Sequence, residues 1–336
     1  MEYNDVITAV KQGKLAPLYI IEETDEYLLQ QFYQAIETVM TRDNEAFERF
    51  TFDLEEQSLQ EVLAEATEVS FFADKKMLLI QHPQFLWTTA KKMEASLEKA
   101  WLDYIAQPNP DTVLLLLSGD HKRDRRRKLV KATEKTGVVL EAQSFTEKEL
   151  MQVVLKMANQ QGKTIEPSAA QQLVTMTNGH LSAIHNELTK IVVYMGDDTV
   201  ITPEMVTTLV APTLEHHLFE ISDNLLNRRL DEGLRLYHEL LLQGEDTIKM
   251  NFLMMMQFRL YLQVAILQEQ HYRPKEMASL LNIHPYRVEL ALKQVRHHSV
   301  EEFGAIYNQF VDAEYAMKTS ALPQEMIFEL LLIHLQ

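Results

Sequence analysis

Cysteine is absent from the 336 residues, which excludes disulfides, a thiol nucleophile and any cysteine-ligated metal. That absence fits a reducing cytosol. Glycine is scarce, at 9 residues, while Leu, Glu, Gln and Met are plentiful, and this balance favours a mostly helical chain. Positive charge is in deficit: 32 Lys and Arg stand against 49 Asp and Glu, for a formal net charge of −17. A chain so acidic opposes unaided binding to nucleic acid or to an anionic membrane. No unbroken apolar run approaches the ~18 residues needed to span a bilayer. Met1 to Lys14 has acidic residues early and no apolar segment of signal-peptide length, so no leader is expected.

What is present is enough for a sizeable core, with 46% hydrophobic and 24% charged residues. The length suggests two or three domains. Residues 1–143 alternate short apolar runs with helical patterns. Strands are expected at Leu18–Ile21, Glu48–Phe52, Met77–Ile80, Val113–Leu117 and Val138–Leu140. Helices are expected at Glu26–Met40, Leu59–Val69, Ala90–Ala106 and Arg125–Lys135. This alternation predicts a parallel sheet covered on both faces, with the continuously apolar Val113–Leu117 as a central strand.

From Thr146 the strand signal stops. Thr146 and Glu149 form a capping-box pattern, and Gly162, Pro167, Asn178-Gly179, Gly196 and Pro203 punctuate four short helices. Ala211-Pro212-Thr213 marks a further boundary, beyond which the chain reads as helical almost to its end. The fold class expected is mostly α with an N-terminal α/β domain, divided as 1–143, 144–211 and 212–336.

The stretch Ser58 to Ile80 draws attention. Leu59, Val62, Leu63, Ala66 and Val69 repeat at helical spacing and would share one face. Phe71 and Phe72 follow, each well off that stripe if the helix continued. Such a pair either caps a helix end or is offered to a partner. Burying two Phe side chains is worth about 1.5–3 kcal/mol each, enough to anchor a small interface.

A nucleotide-binding sheet carries its phosphate loop after the first strand, where backbone N–H groups and a Lys cradle the phosphates. Here Leu18–Ile21 leads into Glu22-Glu23-Thr24-Asp25-Glu26, with four carboxylates and neither glycine nor lysine. Such a loop repels a triphosphate and cannot wrap its amides around one. Met77–Ile80 leads into Gln81-His82-Pro83-Gln84, without the acidic pair that holds magnesium at the end of an ATPase strand.

Other motifs carry weaker signals. His121 to Lys128 is the densest basic stretch, and its Lys122, Arg123, Arg125, Arg126, Arg127 and Lys128 are candidate contacts for DNA or a partner. The plainer reading is a solvated helix start with local ion pairs. Pro274 to Arg296 resembles a helix-turn-helix, with Tyr286, Arg287, Lys293 and Gln294 on its second helix. A helical hairpin packed inside a larger bundle is the favoured reading, since the second helix also carries Glu289 and much apolar surface. His216-His217 and His297-His298 are sequence neighbours and do not converge on one ion from one helix face. Met254-Met255-Met256 reads as core packing. No Ser/His/Asp order supports a hydrolase.

Together these stretches resemble the delta subunit family of the bacterial DNA polymerase III clamp loader, over nearly the whole chain. The resemblance rests on Pro17 to Ile21 with its degenerate loop, Ser70-Phe71-Phe72 before a strand, and the basic segment Asp124–Leu129. Gly179–Lys190, Phe219–Asp223, Gln257-Phe258-Arg259, His284–Val288 and Asp312–Thr319 complete it.

It implies an AAA+-like domain over 1–143 without a functional phosphate loop, a helical lid over 144–211, and an oligomerisation collar over 212–336. The family neither binds nor hydrolyses ATP. It opens the ring-shaped sliding clamp by inserting a hydrophobic pair, which maps onto Phe71 and Phe72 preceded by Ser70. Phe71 stands where other members often carry an aliphatic residue. Implied partners are the beta sliding clamp, the delta prime and tau/gamma subunits through the collar, and primed DNA within the complex, with no membrane. The resemblance implies a cytoplasmic protein that is part of a DNA-directed DNA polymerase (nucleotidyltransferase) holoenzyme. It implies no catalytic residue, cofactor or metal of the chain's own. An active AAA+ ATPase and a helix-turn-helix DNA binder are the alternatives.

Overall fold

The computed structural model describes residues 3–22, 25–42, 46–69, 73–90, 93–119, 121–141 and 145–335. The chain divides into two compact units, Met1–Gln143 and Ser144–Gln336. Each is taken by itself.

The first unit is built on five parallel strands: β1 (Leu18–Glu22), β2 (Phe47–Asp53), β3 (Lys75–Gln81), β4 (Thr112–Gly119) and β5 (Val138–Leu140). Their order is β2-β3-β4-β1-β5, so the most apolar strand is the central one, as expected. Register explains the core. Leu18 and Leu78 both lie opposite Leu114, while Ile20 and Ile80 lie opposite Leu116. Alternation then places all six side chains on one face, packed against Leu59, Val62, Trp101 and Leu129.

Those partners come from helices α3 (Leu59–Thr67), α4 (Ala95–Ala106) and α5 (Lys128–Thr136). Before them in the chain stand α1 (Tyr3–Lys11) and α2 (Glu26–Met40), and Tyr19 on the sheet meets Phe32 of α2 edge-on at 5.1 Å. The buried Trp101 indole donates to Thr133 Oγ1 at 2.9 Å, tying α4 to α5. Gly137 is required where β5 begins, because a Cβ there would meet Leu18 Cδ2 at 2.2 Å.

Several expectations need correction. Helix α1 was not foreseen, because its buried residues are only Tyr3, Val6 and Val10. The helix expected at Ala90–Ala106 begins at Ala95 and is preceded by a 3-10 turn at Gln84–Leu86. The one expected at Arg125–Lys135 begins at Lys128, since residues 121–127 are held in a loop by backbone bonds to Leu86 O and by ion pairs. The stripe Leu59, Val62, Leu63, Ala66 is buried, but Val69 is 85% exposed. Glu68 ends the helix in extended backbone, φ −68° and ψ 143°, and this turns Val69 off the stripe.

In the second unit, helices α6 (Glu147–Gln160), α7 (Pro167–Met176), α8 (Leu181–Met195) and α9 (Pro203–Leu209) form one cluster. Two short parallel strands, β6 (Thr164–Ile165) and β7 (Val200–Ile201), pair within it, where no strand was expected. Two-residue strands carry no readable period.

The remaining helices are α10 (Leu214–Leu226), α11 (Leu230–Leu242), α12 (Thr247–Glu269), α13 (Pro274–Leu281), α14 (Pro285–Val295), α15 (Val300–Thr319) and α16 (Gln324–His334). They surround α12, whose Met250, Met254, Phe258, Tyr261 and Val264 are buried. Phe258 stacks on Phe310 at 5.2 Å, and Tyr261 meets Phe303 at 5.5 Å. Helix α12 is the one helix among the described residues that is long and apolar enough to cross a membrane by length and composition. The search for unbroken apolar runs overlooks it because Lys249, Gln257 and Arg259 interrupt it. Half of its apolar window is buried inside the bundle, as for the core helix of a helical domain.

Candidate interaction site

The turn after β1 is where a phosphate loop would stand. Glu23 and Thr24 lie outside the described residues; their neighbours do not. Asp25 caps α2 by accepting the Tyr27 N–H at 2.9 Å, so a carboxylate already occupies the helix N-terminus that would attract a phosphate. Glu22 pairs with Arg123 Nη1 at 2.9 Å, and Arg123 Nε donates to Glu134 Oε1 at 2.8 Å. The Arg123 side chain is only 3% exposed. Arg125 Nε shares the same Glu134 oxygen at 3.1 Å. Burial alone would raise the Glu134 carboxyl, but the two arginines outweigh it and hold its pKa below the usual value.

These contacts divide the basic segment. Arg123 is enclosed by two carboxylates, and Arg127 Nη1 donates to the Phe85 carbonyl at 2.8 Å. Arg126 is exposed and paired with Asp124 at 2.8 Å. Lys122, Arg125 and Lys128 are exposed. The plainer reading, a solvated helix start with local ion pairs, holds for the ion pairs of Arg123, Arg125 and Arg126, but the stretch is a loop before α5 and Arg123 is buried in it.

At the end of β3, His82 adopts a left-handed φ of 48° and its Nδ1 lies 2.8 Å from Asp53 Oδ1. Asp53 is held below the ordinary carboxylate range by the Glu55 N–H and then by His82, while His82 is raised by its bond to Asp53. Asp53, Glu55 and His82 are the one group among the described residues whose ligand atoms lie close enough together for a metal. Glu55 and His82 are exposed, and the His82 Nδ1 already engages Asp53. The group is described fully as a surface ion pair.

The stretch around the Phe pair is framed on both sides. Ser70, Phe71 and Phe72 themselves lie outside the described residues. Upstream, Ser58 and Glu61 form a capping box that starts α3. At its other end the buried Lys76 ammonium donates to Glu65 O at 2.5 Å, Glu65 Oε1 at 2.7 Å and Glu68 O at 2.9 Å. Its charge meets the carbonyls left unpaired at a helix C-terminus, where a cation is favoured. Downstream, Asp74 Oδ2 accepts the Ala46 N–H at 2.9 Å, and the Asp74 N–H donates to Ala46 O at 2.8 Å. Sequence reading passed over Lys76 as one charge among many. A lysine opening an otherwise apolar strand was the available signal.

In the second unit the helix-turn-helix stretch forms α13 and α14, with Ala278 and Val288 buried and α14 packed on α12. Tyr286 is fully buried, which suits the packed hairpin and not a DNA-reading helix, and it lies under Gly179, where a Cβ would meet it at 2.8 Å. Met254 and Met255 are core, whereas Met256 is 38% exposed.

A family model described as "DNA polymerase III, delta subunit" matches residues 19–143, and one described as "DNA polymerase III delta subunit, C-terminal domain" matches residues 215–335. A third, described as "middle domain", matches 146–208. The DNA polymerase III subunit delta of Bacillus subtilis is 37% identical over 333 residues, spanning 98% of this chain and 96% of that protein. The chain belongs to the DNA polymerase III delta subunit family. The solved structure of the Bacillus subtilis DNA clamp loader delta protein superposes with a TM-score of 0.74 at 35% identity, covering 99% of both chains. Delta-family membership thus accounts for the sheet unit and the helical unit together.

Proposed function

We propose that this chain is the clamp-opening subunit of a clamp loader in DNA replication, and that it acts by contact alone. Ser70, Phe71 and Phe72 dock into an apolar pocket on the beta sliding clamp. The observation that carries this reading is the anchoring of the residues that flank them on both sides. Lys76 holds the end of α3 just before them and Asp74 ties the chain just after them to Ala46, so the residues on either side of the Phe pair are fixed. Pre-anchoring lowers the ordering cost of binding, and an apolar plug with higher affinity for the strained clamp shifts the clamp toward opening.

The chain neither binds nor hydrolyses ATP in this reading. Asp25 capping the start of α2 supports that, because its carboxylate already takes the helix N-terminus, and so does the pairing of Arg123 with Glu22 and Glu134, which leaves that arginine committed to protein carboxylates. The first unit is then the AAA+-like domain, 144–211 the lid, and 212–336 the collar that meets the delta prime and tau/gamma subunits. Lys122, Arg125, Arg126 and Lys128 are exposed and are the residues placed to reach primed DNA or a partner inside the assembly. The protein works in the cytoplasm.

Capture of the cognate clamp on the immobilised wild-type chain, with and without ATP, tests the proposal. Equal capture in both cases is expected, and failure to capture the clamp would overturn it.

A further inference from the structure

The second unit contains a cavity of about 580 Å³, within the ~300–1,000 Å³ of small-ligand and peptide pockets. Four stretches that the sequence singled out separately meet in its wall. His180 comes from the start of α8, Phe219 from α10, Gln257 and Arg259 from α12, and Arg287 from α14.

Arg287 is the informative group. It is partly buried, its backbone N–H donates to the His284 carbonyl, and among the described residues its guanidinium makes no hydrogen bond and no ion pair. Desolvation lowers its pKa below the ordinary arginine value, with Tyr261 and Glu215 the nearest opposing influences. A partly desolvated guanidinium without a direct hydrogen-bond partner is left for a ligand carboxylate to satisfy. Around it the wall is aliphatic and aromatic, including Leu253, Leu260 and Ile283, while Phe252 and Met256 are 46% and 38% exposed at the site. Arg259 adds a second, exposed cation on a chain that is otherwise strongly acidic.

We infer that this cavity binds a peptide segment of a partner protein, one that presents a carboxylate next to a bulky apolar side chain. The carboxylate pairs with Arg287, whose planar fork suits two parallel hydrogen bonds, and the apolar side chain fills the space beside Phe252 and Met256. A nucleic-acid strand fits less well. A run of phosphates would meet only two arginines there, Arg287 and Arg259, with Glu215 beside them.

The test uses the full chain with isotope-labelled Met and Ile methyl groups and two probes, N-acetyl-Phe-Leu with a free carboxylate and the same dipeptide as its amide. The acid should move the Met256 and Ile283 methyl signals saturably, and the amide should bind about tenfold more weakly. Arg287→Gln should bring the acid down to the amide's affinity without lowering the melting temperature. Phe252→Ala, at an exposed position, should weaken both probes alike. Equal binding of acid and amide, or no effect of Arg287→Gln on the acid, would overturn the inference. A fall in melting temperature on Arg287→Gln would overturn it too, by making Arg287 a structural residue. So would displacement of neither signal by the acid but of both by a short oligothymidylate, which would make the cavity a nucleic-acid contact.

Discussion

Two buried charges set the behaviour of the first unit at the scale of single residues. Arg123 depends on Glu22 and Glu134, and Glu134 serves both Arg123 and Arg125. Glu134→Gln leaves a buried guanidinium half-compensated and should cost about 3 kcal/mol in urea unfolding at neutral pH. The sign of its pH dependence follows from the depressed Glu134 carboxyl. Its contribution is fully present above the ordinary value of 4.5 and is lost as pH falls through the lower folded value. The wild type should therefore lose stability faster than Glu134→Gln as the solution is acidified from 4.5 down through that folded value. Lys76→Met strands the Glu65 and Glu68 carbonyls at the end of α3 and should cost about 2 kcal/mol. Hydrogen exchange should rise first at the amides around Thr67 to Val69. Charge density was legible in the run from Lys122 to Lys128, but the partners were not. Glu22 and Glu134 reach Arg123 only through the parallel crossovers that bring β1 beside β4.

Among the elements, periodicity located α3 and its limits came from capping. Ser58→Ala removes the acceptor of the Glu61 N–H and should lower stability by about 1 kcal/mol, read in thermal melts. The apolar spacing of Leu59, Val62, Leu63 and Ala66 specified the buried face before any coordinates. It could not show that the helix stops at Thr67, because Lys76, which finishes it, lies on the next strand. Helix α12 gives the opposite case. Its surroundings pack on it from several sides, so its apolar residues do not confine themselves to a single stripe, and its place as the axis of the bundle emerges only in the fold. Phe258→Ala there should cost about 3–5 kcal/mol, since the ring is fully buried against Phe310 and Tyr261. Arg287, by contrast, could be read only as a helix-turn-helix residue until the fold brought it beside Gln257 and His180.

For the molecule as a whole, the parallel order β2-β3-β4-β1-β5, the helical second unit and the delta-family kinship agree on one architecture. The missing phosphate loop was legible directly, since glycine and lysine are absent from Glu22 to Glu26. What fills its place, the Asp25 cap and the Arg123 pairs, was not. Calorimetric titration with ATP should show no heat of binding at micromolar concentrations, and saturable binding would restore the ATPase reading. The central claim is that Phe71 and Phe72 face a partner and not the core. The most direct measurement is the affinity of Phe71→Ala/Phe72→Ala for the cognate sliding clamp, taken together with its thermal melt. Loss of clamp binding with an unchanged melt is the predicted result. A variant that unfolds, or one that binds the clamp as the wild type does, would contradict it.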